Sequence, residues 1–380
     1  MGLYDSPNSA QRRRYSHGVF DWIGCDVHKD YSVFRMFDAQ RKVGPPIRIR
    51  HENGELERFL KTLPPGSHVG FEACGSWMWM ARQVEDAGLV PRLGHPLEIK
   101  RRIAGSTRTD ETDSAGMLIL LANGTFPEVW MAPPMVRDLR GLVRTRLAIR
   151  RQESAMKNRV HGVLNQYGLK NSVEEEDDVD IPDWFSRKAQ EQLQRAIEQL
   201  PPASREATRQ QWMAIQDLER RVKSLELAME ARMGKLGWLR LLQTLPGVGK
   251  ILGATIWAEI GDGKRFPSAQ HLARYAEVVP QVQSSGGKTW RGSTMKDCNH
   301  YLKWALVEAA NTVAARRAKW GEKYPHAVGL YQRVKATTQL SGKAKVAVAR
   351  HLAEAAWWVL TRKQDYREPT SARVTSSHNG

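Results

Sequence analysis

Four carboxylates in the first third of the chain have the residue types and surroundings of a divalent-metal site. Asp26 and Glu72 each stand near the end of a short apolar run, and Asp110 and Asp113 are three residues apart, so both project to one side of a helix that begins there. Two carboxylates about 4 Å apart repel by about 4 kcal/mol at an effective dielectric of about 20, so a converged set needs a counter-charge. Oxygen ligands favour Mg²⁺, with Mn²⁺ as the alternative ion.

A metal site of this kind predicts phosphodiester chemistry, because divalent ions stabilise both the attacking and the leaving oxygen of an in-line displacement. We therefore expect cleavage or transfer of DNA strands. The alternative for each acid is an ordinary surface role or a capping role. For Asp113 taken alone, the capping role is the favoured interpretation. The acidic run at 174–178 stands beside Pro182 in a breaker-rich segment and is interpreted as solvated charge.

The elements that must position these acids alternate between strands and helices, which predicts an α/β domain over residues 19–135. Strands are expected at 20–27, 31–37, 68–73 and 89–93, the first two as a hairpin, and helices at 55–62, 76–87 and 107–122. Residues 1–18 are polar and are expected to form a mobile leader.

The rest of the chain is predicted to be helical. Residues 136–235 form a helical region whose last helix has apolar residues at the spacing of a coiled-coil seam: Ile215, Leu218, Val222, Leu225 and Met229. Residues 236–362 form a second helical domain, interrupted by a loop rich in Gly and Ser at 280–293, and residues 363–380 are expected to be a polar tail.

The charge balance restricts the class of partner. Lys and Arg total 58 against 41 Asp and Glu, a formal net charge of +17, so a polyanion is expected and nucleic acid fits best. No apolar run approaches the roughly 20 residues that span a bilayer, so no membrane is expected and the protein is predicted to be cytoplasmic and nucleoid-associated. The three cysteines have neither zinc-type spacing nor the pattern of a disulfide framework.

Two segments are candidates for phosphate contact. One predicted helix carries many basic residues with few acids to pair with them, and its candidate contacts are Arg140, Arg144, Arg151, Lys157 and Arg159. The other is a turn resembling a helix-hairpin-helix, with Gly247, Gly249 and Lys250 before an apolar helix. The alternatives are a solvated helix face and a plain turn in which the glycines serve geometry only.

A pair of serines, Ser284 and Ser285, stands beside glycines in the expected loop, followed by the basic residues Lys288, Arg291 and Lys296. By itself this composition predicts a flexible turn, because no His or Lys is placed as a general base for either hydroxyl. The basic residues are further candidates for contact with nucleic acid.

The motifs taken together resemble the 110 family of insertion-sequence transposases, the DEDD transposases also described as bridge-RNA-guided recombinases. The resemblance covers nearly the whole chain and rests on three acidic motifs, at 24–30, 71–75 and 109–115, and on matches at 245–249, 280–286, 296–299 and 347–350. Cys25, Cys74 and Cys298 depart from the family pattern, which has an Ile-like residue, a Thr-like residue and a Gly there.

The resemblance implies a RuvC-like, RNase-H-type N-terminal domain, a coiled-coil region, and a helical transposase domain with a nucleophilic serine. By analogy Ser285 is the nucleophile, with Ser284 as the alternative, and attack gives a transient phosphoserine link. Also implied are element and target DNA, a guide RNA, and a dimer or tetramer that shares its site between subunits. Two rival functions stay open: a metal-only nuclease or junction resolvase in which water attacks, and a non-catalytic nucleic-acid-binding protein.

Overall fold

The computed structural model describes residues 22–103, 109–169, 184–186, 189–234, 237–279, 281–285, 288–292 and 298–369. The chain divides into two compact units, residues 1–131 and 132–380. The predicted leader at 1–18 and the acidic run at 174–178 lie outside the described residues. Within the described part of the chain, no helix is both long and apolar enough to cross a bilayer.

The first unit is built on a five-stranded mixed sheet. The strands are β1 (Trp22–Val27), β2 (Tyr31–Met36), β3 (Ile47–Arg50), β4 (His68–Glu72) and β5 (Val90–Gly94). Their order in the sheet is β3-β2-β1-β4-β5. The first three strands pair antiparallel, whereas β4 pairs parallel with both β1 and β5. The predicted hairpin of the first two strands is confirmed, and β3 was missed.

The described residues of this unit also form four helices: α1 (Glu55–Thr62), α2 (Trp77–Asp86), α3 (Pro96–Arg102) and α4 (Asp110–Ala122). The face of the sheet that carries Ile23, Val69 and Phe71 shares a buried core with residues of α1 and α2. A second apolar cluster contains residues of α3 and α4. The alternation of apolar side chains along each strand therefore gives a sheet with helices on both faces.

The second unit begins with three helices, α5 (Pro134–Gln166), α6 (Gln190–Glu198) and α7 (Pro202–Met233). Ion pairs from Asp138 to Arg232 and from Lys157 to Glu219 show that α5 and α7 run antiparallel. The predicted seam lies along α7, where Ile215, Val222 and Met229 are buried. This apolar face is covered within the chain by helix packing.

Helices dominate the remainder: α8 (Gly237–Leu242), α9 (Lys250–Ile260), α10 (Ala269–Tyr275), α11 (His300–Ala315), α12 (Arg317–Trp320), α13 (Pro325–Thr338) and α14 (Ser341–Arg362). A 3₁₀ turn at Gly263–Arg265 and two strands, β6 (Gln281–Ser285) and β7 (Lys288–Gly292), stand between them. The whole chain is a mixed α/β protein made mostly of helices.

One expectation for this unit was wrong. The loop expected at 280–293 contains two strands, because β6 and β7 pair antiparallel. A Gly-Gly pair between two extended runs is the sequence pattern of a tight hairpin. The last helix ends at Arg362, just before the polar tail was predicted to begin, and residues 364–369 form no helix or strand. The backbone N–H of Tyr366 donates to Thr244 Oγ1 at 2.8 Å, and Glu368 accepts from the backbone of His326 at 2.7 Å.

Candidate active site

The sheet brings Asp26 and Glu72 to the same end of two neighbouring strands. In the parallel pairing of β1 and β4, Gly24 lies beside Gly70. The pairing ends there, and Asp26 and Glu72 each stand two residues further along their strands, on the same side as these glycines. Directly paired residues of parallel strands face the same side of a sheet, so the two carboxylates belong to one face.

Helix α4 reaches this face because Gly24 has no side chain. A Cβ on Gly24 would lie 2.0 Å from the carbonyl oxygen of Ser114 and 2.6 Å from the backbone nitrogen of Leu118. The helix backbone therefore rests directly on β1. Since α4 begins at Asp110, this close approach brings both Asp110 and Asp113 to the strand that carries Asp26.

A reciprocal cap holds the first turn of α4. The Thr109 hydroxyl accepts a hydrogen bond from the Thr112 backbone N–H at 3.2 Å, and the Thr112 hydroxyl accepts one from the Thr109 backbone N–H at 2.9 Å. Because these bonds satisfy two backbone donors at the helix start, Asp113 is not needed as the cap. The capping role considered for it from sequence is therefore filled by Thr109.

His28 joins the first and third acidic motifs. Its Nε2 atom lies 3.1 Å from Asp26 Oδ2 and 3.3 Å from Asp110 Oδ2. The hydroxyl of Tyr31 donates to Asp110 Oδ2 at 2.9 Å, and its ring stacks on the imidazole with centroids 4.6 Å apart. Ligand atoms of Asp26, His28 and Asp110 all lie within 4.8 Å of one another. The strand and the helix thus place two carboxylates around one point.

The electrostatics of this cluster favour a cation. Burial raises the pKa of Asp26, and the neighbouring carboxylates of Asp110 and Asp113 raise it further, while His28 opposes the rise. The Oδ1 atom of Asp113 is buried and accepts no hydrogen bond from any described residue. A buried carboxylate oxygen without a donor is costly unless a positive charge satisfies it. The residues present therefore fit a divalent metal ion.

Sequence reasoning did not assign roles to His28 and Tyr31. A usable pattern was present, since His28 follows Asp26 by two residues and positions i and i+2 of an extended segment face the same side. Tyr31 follows after the tight turn that its carbonyl closes with the His28 backbone N–H at 3.0 Å. Both residues position Asp110 beside Asp26.

Comparison with known proteins bears on what this cluster does. A family profile described as "Transposase IS116/IS110/IS902 family" matches residues 239–326. A "Probable family 20 transposase" of Pseudomonas aeruginosa is 26% identical over 357 residues, covering 91% of this chain and 98% of the relative. The "Transposase for insertion sequence element IS1111A" of Coxiella burnetii is 24% identical over 363 residues, covering 94% of each protein. Over nearly its whole length the chain is similar to transposases, one of them of an insertion sequence, and over residues 239–326 it matches the IS116/IS110/IS902 family.

A shorter match concerns DNA inversion. The "Pilin gene-inverting protein" of Moraxella bovis is 48% identical over 46 residues, which is 12% of this chain and 14% of the relative. The profile match at 239–326 contains the hairpin of β6 and β7. The acidic residues lie outside that match, so their role depends on their own geometry.

The two candidate serines lie on the hairpin of β6 and β7. Ser284 and Ser285 are the last two residues of β6, and their partners across the pair are Thr289 and Lys288. Arg291 is a residue of β7 paired with Val282, whereas Lys296 lies outside the described residues. The predicted serines and two of the predicted basic residues are thus brought to one two-stranded element.

Two of the arginines on the basic helix α5 form contacts within the protein. Arg144 forms two hydrogen bonds of 2.8 Å with the carboxylate of Glu259, which is fully buried. Arg140 donates to the carbonyl of Ala258 and lies 3.5 Å from Glu259. Both arginines therefore hold α5 against α9, and their contact with nucleic acid stays a prediction.

The other predicted contacts on α5 differ in exposure. Lys157 is bonded to Glu153 and Glu219 at 2.8 and 2.9 Å. Arg151 and Arg159 are exposed, and no ion pair involves either of them among the described residues. These two arginines are therefore the basic residues of this helix best placed to reach a phosphate.

The two glycines in the turn before α9 have different surroundings. Gly247 has a φ of 79°, and a Cβ there would lie 2.3 Å from the carbonyl oxygen of Ala309. Gly249 has a φ of −91° and open space around it. Lys250 bonds to Glu230 at 3.1 Å. Gly247 is therefore required by the backbone conformation and close packing of the turn, while Gly249 leaves the start of α9 open to a ligand.

Beside this turn lies an open cleft of about 670 Å³ between α5, α9 and α11. Its wall includes three arginines, one tryptophan and the first turn of α9: Arg146, Arg150, Arg151, Trp304, Ile251 and Leu252. Guanidinium groups, an aromatic ring and a helix N-terminus are the groups that contact phosphates and bases. The cleft is the candidate nucleic-acid surface of the second unit.

Proposed function

We propose that this transposase cleaves and rejoins DNA strands at the ends of its insertion sequence, using Asp26, Glu72, Asp110 and Asp113 to hold Mg²⁺. The observation that carries the proposal is the convergence of Asp26 and Asp110 on His28, although the two acids are 84 positions apart in the sequence. Mn²⁺ is the alternative ion. The mixed sheet with helices on both faces supports a RuvC-like, RNase-H-type assignment for residues 19–135.

When bound, the ion supplies positive charge that stabilises the pentavalent phosphate and the leaving oxygen. The chain's own residues position the carboxylates. His28 holds the carboxylates of Asp26 and Asp110 at 3.1 and 3.3 Å, and Tyr31 fixes the Asp110 oxygen by a hydrogen bond. The buried Asp113 oxygen, which lacks a donor among the described residues, is the second support for a cation here.

The nucleophile in this proposal is the hydroxyl of Ser285, with Ser284 as the alternative. Its oxygen forms a bond to the target phosphorus while the bond from phosphorus to the sugar oxygen breaks. The serine proton passes to solvent, and the released sugar oxygen takes up a proton. Attack by a sugar hydroxyl of the partner strand then reverses the step and restores the free serine.

The partners follow from charge and surface. A formal charge of +17 and an arginine-lined cleft support contact with element and target DNA. A guide RNA, and a dimer or tetramer with a shared site, are proposed from the family resemblance.

The acidic site is tested by incubating purified protein with DNA that carries the element ends, with and without Mg²⁺, and measuring strand cleavage. Asp26→Asn and Asp110→Asn are expected to abolish cleavage. Glu111→Gln is the matched control, because Glu111 lies in the same helical turn but contacts Arg35 at 3.5 Å. Cleavage that survives both aspartate substitutions would overturn the proposal and favour a binding protein with a contaminating nuclease.

A further inference from the structure

A second cluster of metal-ligating side chains lies in the other unit. The thiol of Cys298 donates to Glu277 Oε2 at 2.6 Å, and its sulfur lies 3.3 Å from His300 Nδ1. The ligand atoms of these three residues all lie within 4.8 Å of one another. A thiol, an imidazole and a carboxylate therefore converge, and none of them takes part in the proposed DNA chemistry.

The backbone holds this cluster together without any ion. Glu277 has a φ of 54°, in the left-handed region, and is only 5% exposed. Its backbone N–H donates to the carbonyl of Arg274 at 2.9 Å. On the other side, the Asn299 backbone N–H donates to the carbonyl of Tyr275 at 3.1 Å, and its side chain donates to the hydroxyl of that tyrosine. The three ligands are thus arranged in advance.

We propose that Glu277, Cys298 and His300 bind one ion of the Zn²⁺ class. Thiolate, imidazole and carboxylate are the ligands that Zn²⁺ takes in proteins, and three protein ligands leave a fourth position for water. Mg²⁺ does not compete, because it requires oxygen ligands. On binding, the Cys298 S–H bond breaks, a sulfur–metal bond forms and the proton passes to solvent.

Lys303 limits the affinity of this site. Its ammonium lies 3.1 Å from Glu277 Oε2, so a metal ion must share or displace this positive charge. Removing the lysine charge is expected to tighten metal binding, whereas it would weaken a cluster held together only by this ion pair. Lys303→Gln therefore separates a metal site from a structural salt bridge.

Because of its position, the site would restrain the segment that contains the hairpin of β6 and β7. Glu277 precedes β6, and Cys298 and His300 follow β7, so one ion would tie together the two ends of the segment that carries the hairpin. A bound ion would restrain this segment independently of the acidic cluster in the first unit. Loss of the ion would release it.

The test is a Co²⁺ titration of the full chain carrying Asp26→Asn, which removes a ligand from the acidic cluster. Co²⁺ takes the same ligands as Zn²⁺, and a thiolate ligand gives a sulfur-to-cobalt charge-transfer band. The parent and a Cys74→Ser control are expected to show this band at one equivalent, and Zn²⁺ is expected to bleach it. Cys298→Ser is expected to lose the band, and Lys303→Gln to reach saturation at lower Co²⁺.

Two results would overturn the site. One is the absence of the band from the parent at saturating Co²⁺; the other is its persistence in Cys298→Ser, which would place the thiolate elsewhere. Circular dichroism of Cys298→Ser keeps loss of ligand distinct from loss of fold. Because the readout is metal binding, the outcome does not depend on DNA cleavage by the acidic cluster.

Discussion

Gly24 of strand β1 and Ser114 of helix α4 approach so closely that a Cβ on the glycine would lie 2.0 Å from the serine carbonyl oxygen. This contact sets the distance between the strand that carries Asp26 and the helix that begins with Asp110. The position of the acidic cluster therefore depends on a residue with no functional group.

Gly24→Ala is expected to push α4 away from the sheet. Because the obstacle is helix backbone, we expect a loss of at least about 1–3 kcal/mol in the free energy of unfolding, the usual cost of overpacking, together with loss of Mg²⁺-dependent cleavage. Urea unfolding and the cleavage assay measure the two effects.

Gly70→Ala is the matched control for this substitution. Its Cβ would meet the Leu121 side chain at 2.4 Å, and the end of a flexible side chain can move. We expect a smaller loss of stability and retained cleavage. Equal effects of the two alanines would contradict a specific role for the contact between Gly24 and Ser114.

The raised pKa of Asp26 gives stability a dependence on pH. Burial raises this pKa in the folded chain, so ionisation of Asp26 disfavours the folded state at neutral pH. Asp26→Asn, measured without metal, is expected to increase the free energy of unfolding at pH 7. This gain should shrink as pH falls through the raised pKa towards the ordinary aspartate value.

Mg²⁺ is expected to reverse the order of stability of the wild type and Asp26→Asn. It is expected to stabilise the wild type and to leave Asp26→Asn unchanged, since only the wild type has the complete set of ligands. Urea unfolding between about pH 4 and pH 8, with and without Mg²⁺, measures both effects. A metal-free Asp26→Asn protein that is less stable at pH 7 would refute this account of the carboxylate.

Arg144 and Arg151 lie on the same helix but are expected to respond differently to substitution. Removing one partner of a buried pair costs about 3–5 kcal/mol. Arg144 is 40% exposed and Arg140 remains 3.5 Å from Glu259, so we expect Arg144→Met to cost the lower end of that range. Thermal unfolding is the measurement.

Arg151→Ala is expected to change stability by less than about 0.5 kcal/mol, because the residue is exposed. It should instead weaken binding to nucleic acid and reduce the salt dependence by about 0.9 in the log–log slope. Fluorescence anisotropy at several salt concentrations measures this. Unchanged affinity in Arg151→Ala would remove this arginine from the contact surface.

The two glycines of the turn before α9 are expected to differ as well. Gly247→Ala places a Cβ 2.3 Å from the Ala309 carbonyl at a φ of 79°, so we expect marked destabilisation. Gly249→Ala has open space and should fold normally. If the start of α9 binds phosphate, Gly249→Ala will lower DNA affinity at unchanged stability. Equal losses of stability in the two variants would contradict the structural role given to Gly247.

Local sequence patterns predicted much of the first unit. The apolar runs around Ile23 and Val69 identified β1 and β4, and capping residues identified a helix at 107–122, which the structure begins at Asp110. The short strand β3 was missed because Ile47–Arg50 alternates isoleucine with arginine and half of it is exposed. The hairpin β6–β7 was missed because serine and glycine were weighed as loop residues rather than as strand and turn.

Contacts between distant parts of the chain could not be read from spacing. Glu259 is a lone acid in an apolar helix and was overlooked, although a buried carboxylate requires a cationic partner. That partner, Arg144, was instead assigned to nucleic acid. The cluster of Glu277, Cys298 and His300 could not be predicted from spacing either, because the hairpin lies between Glu277 and the other two residues in the sequence.

The most direct test of the proposed strand transfer is a search for a covalent protein–DNA adduct. Purified protein, the proposed guide RNA, end-labelled element-junction DNA and Mg²⁺ are mixed, and the products are separated on a denaturing gel. We expect an adduct in wild type and in Ser284→Ala that is absent from Ser285→Ala. Cleaved DNA without any adduct, unchanged in Ser285→Ala, would contradict serine attack and leave a metal-dependent nuclease in which water attacks.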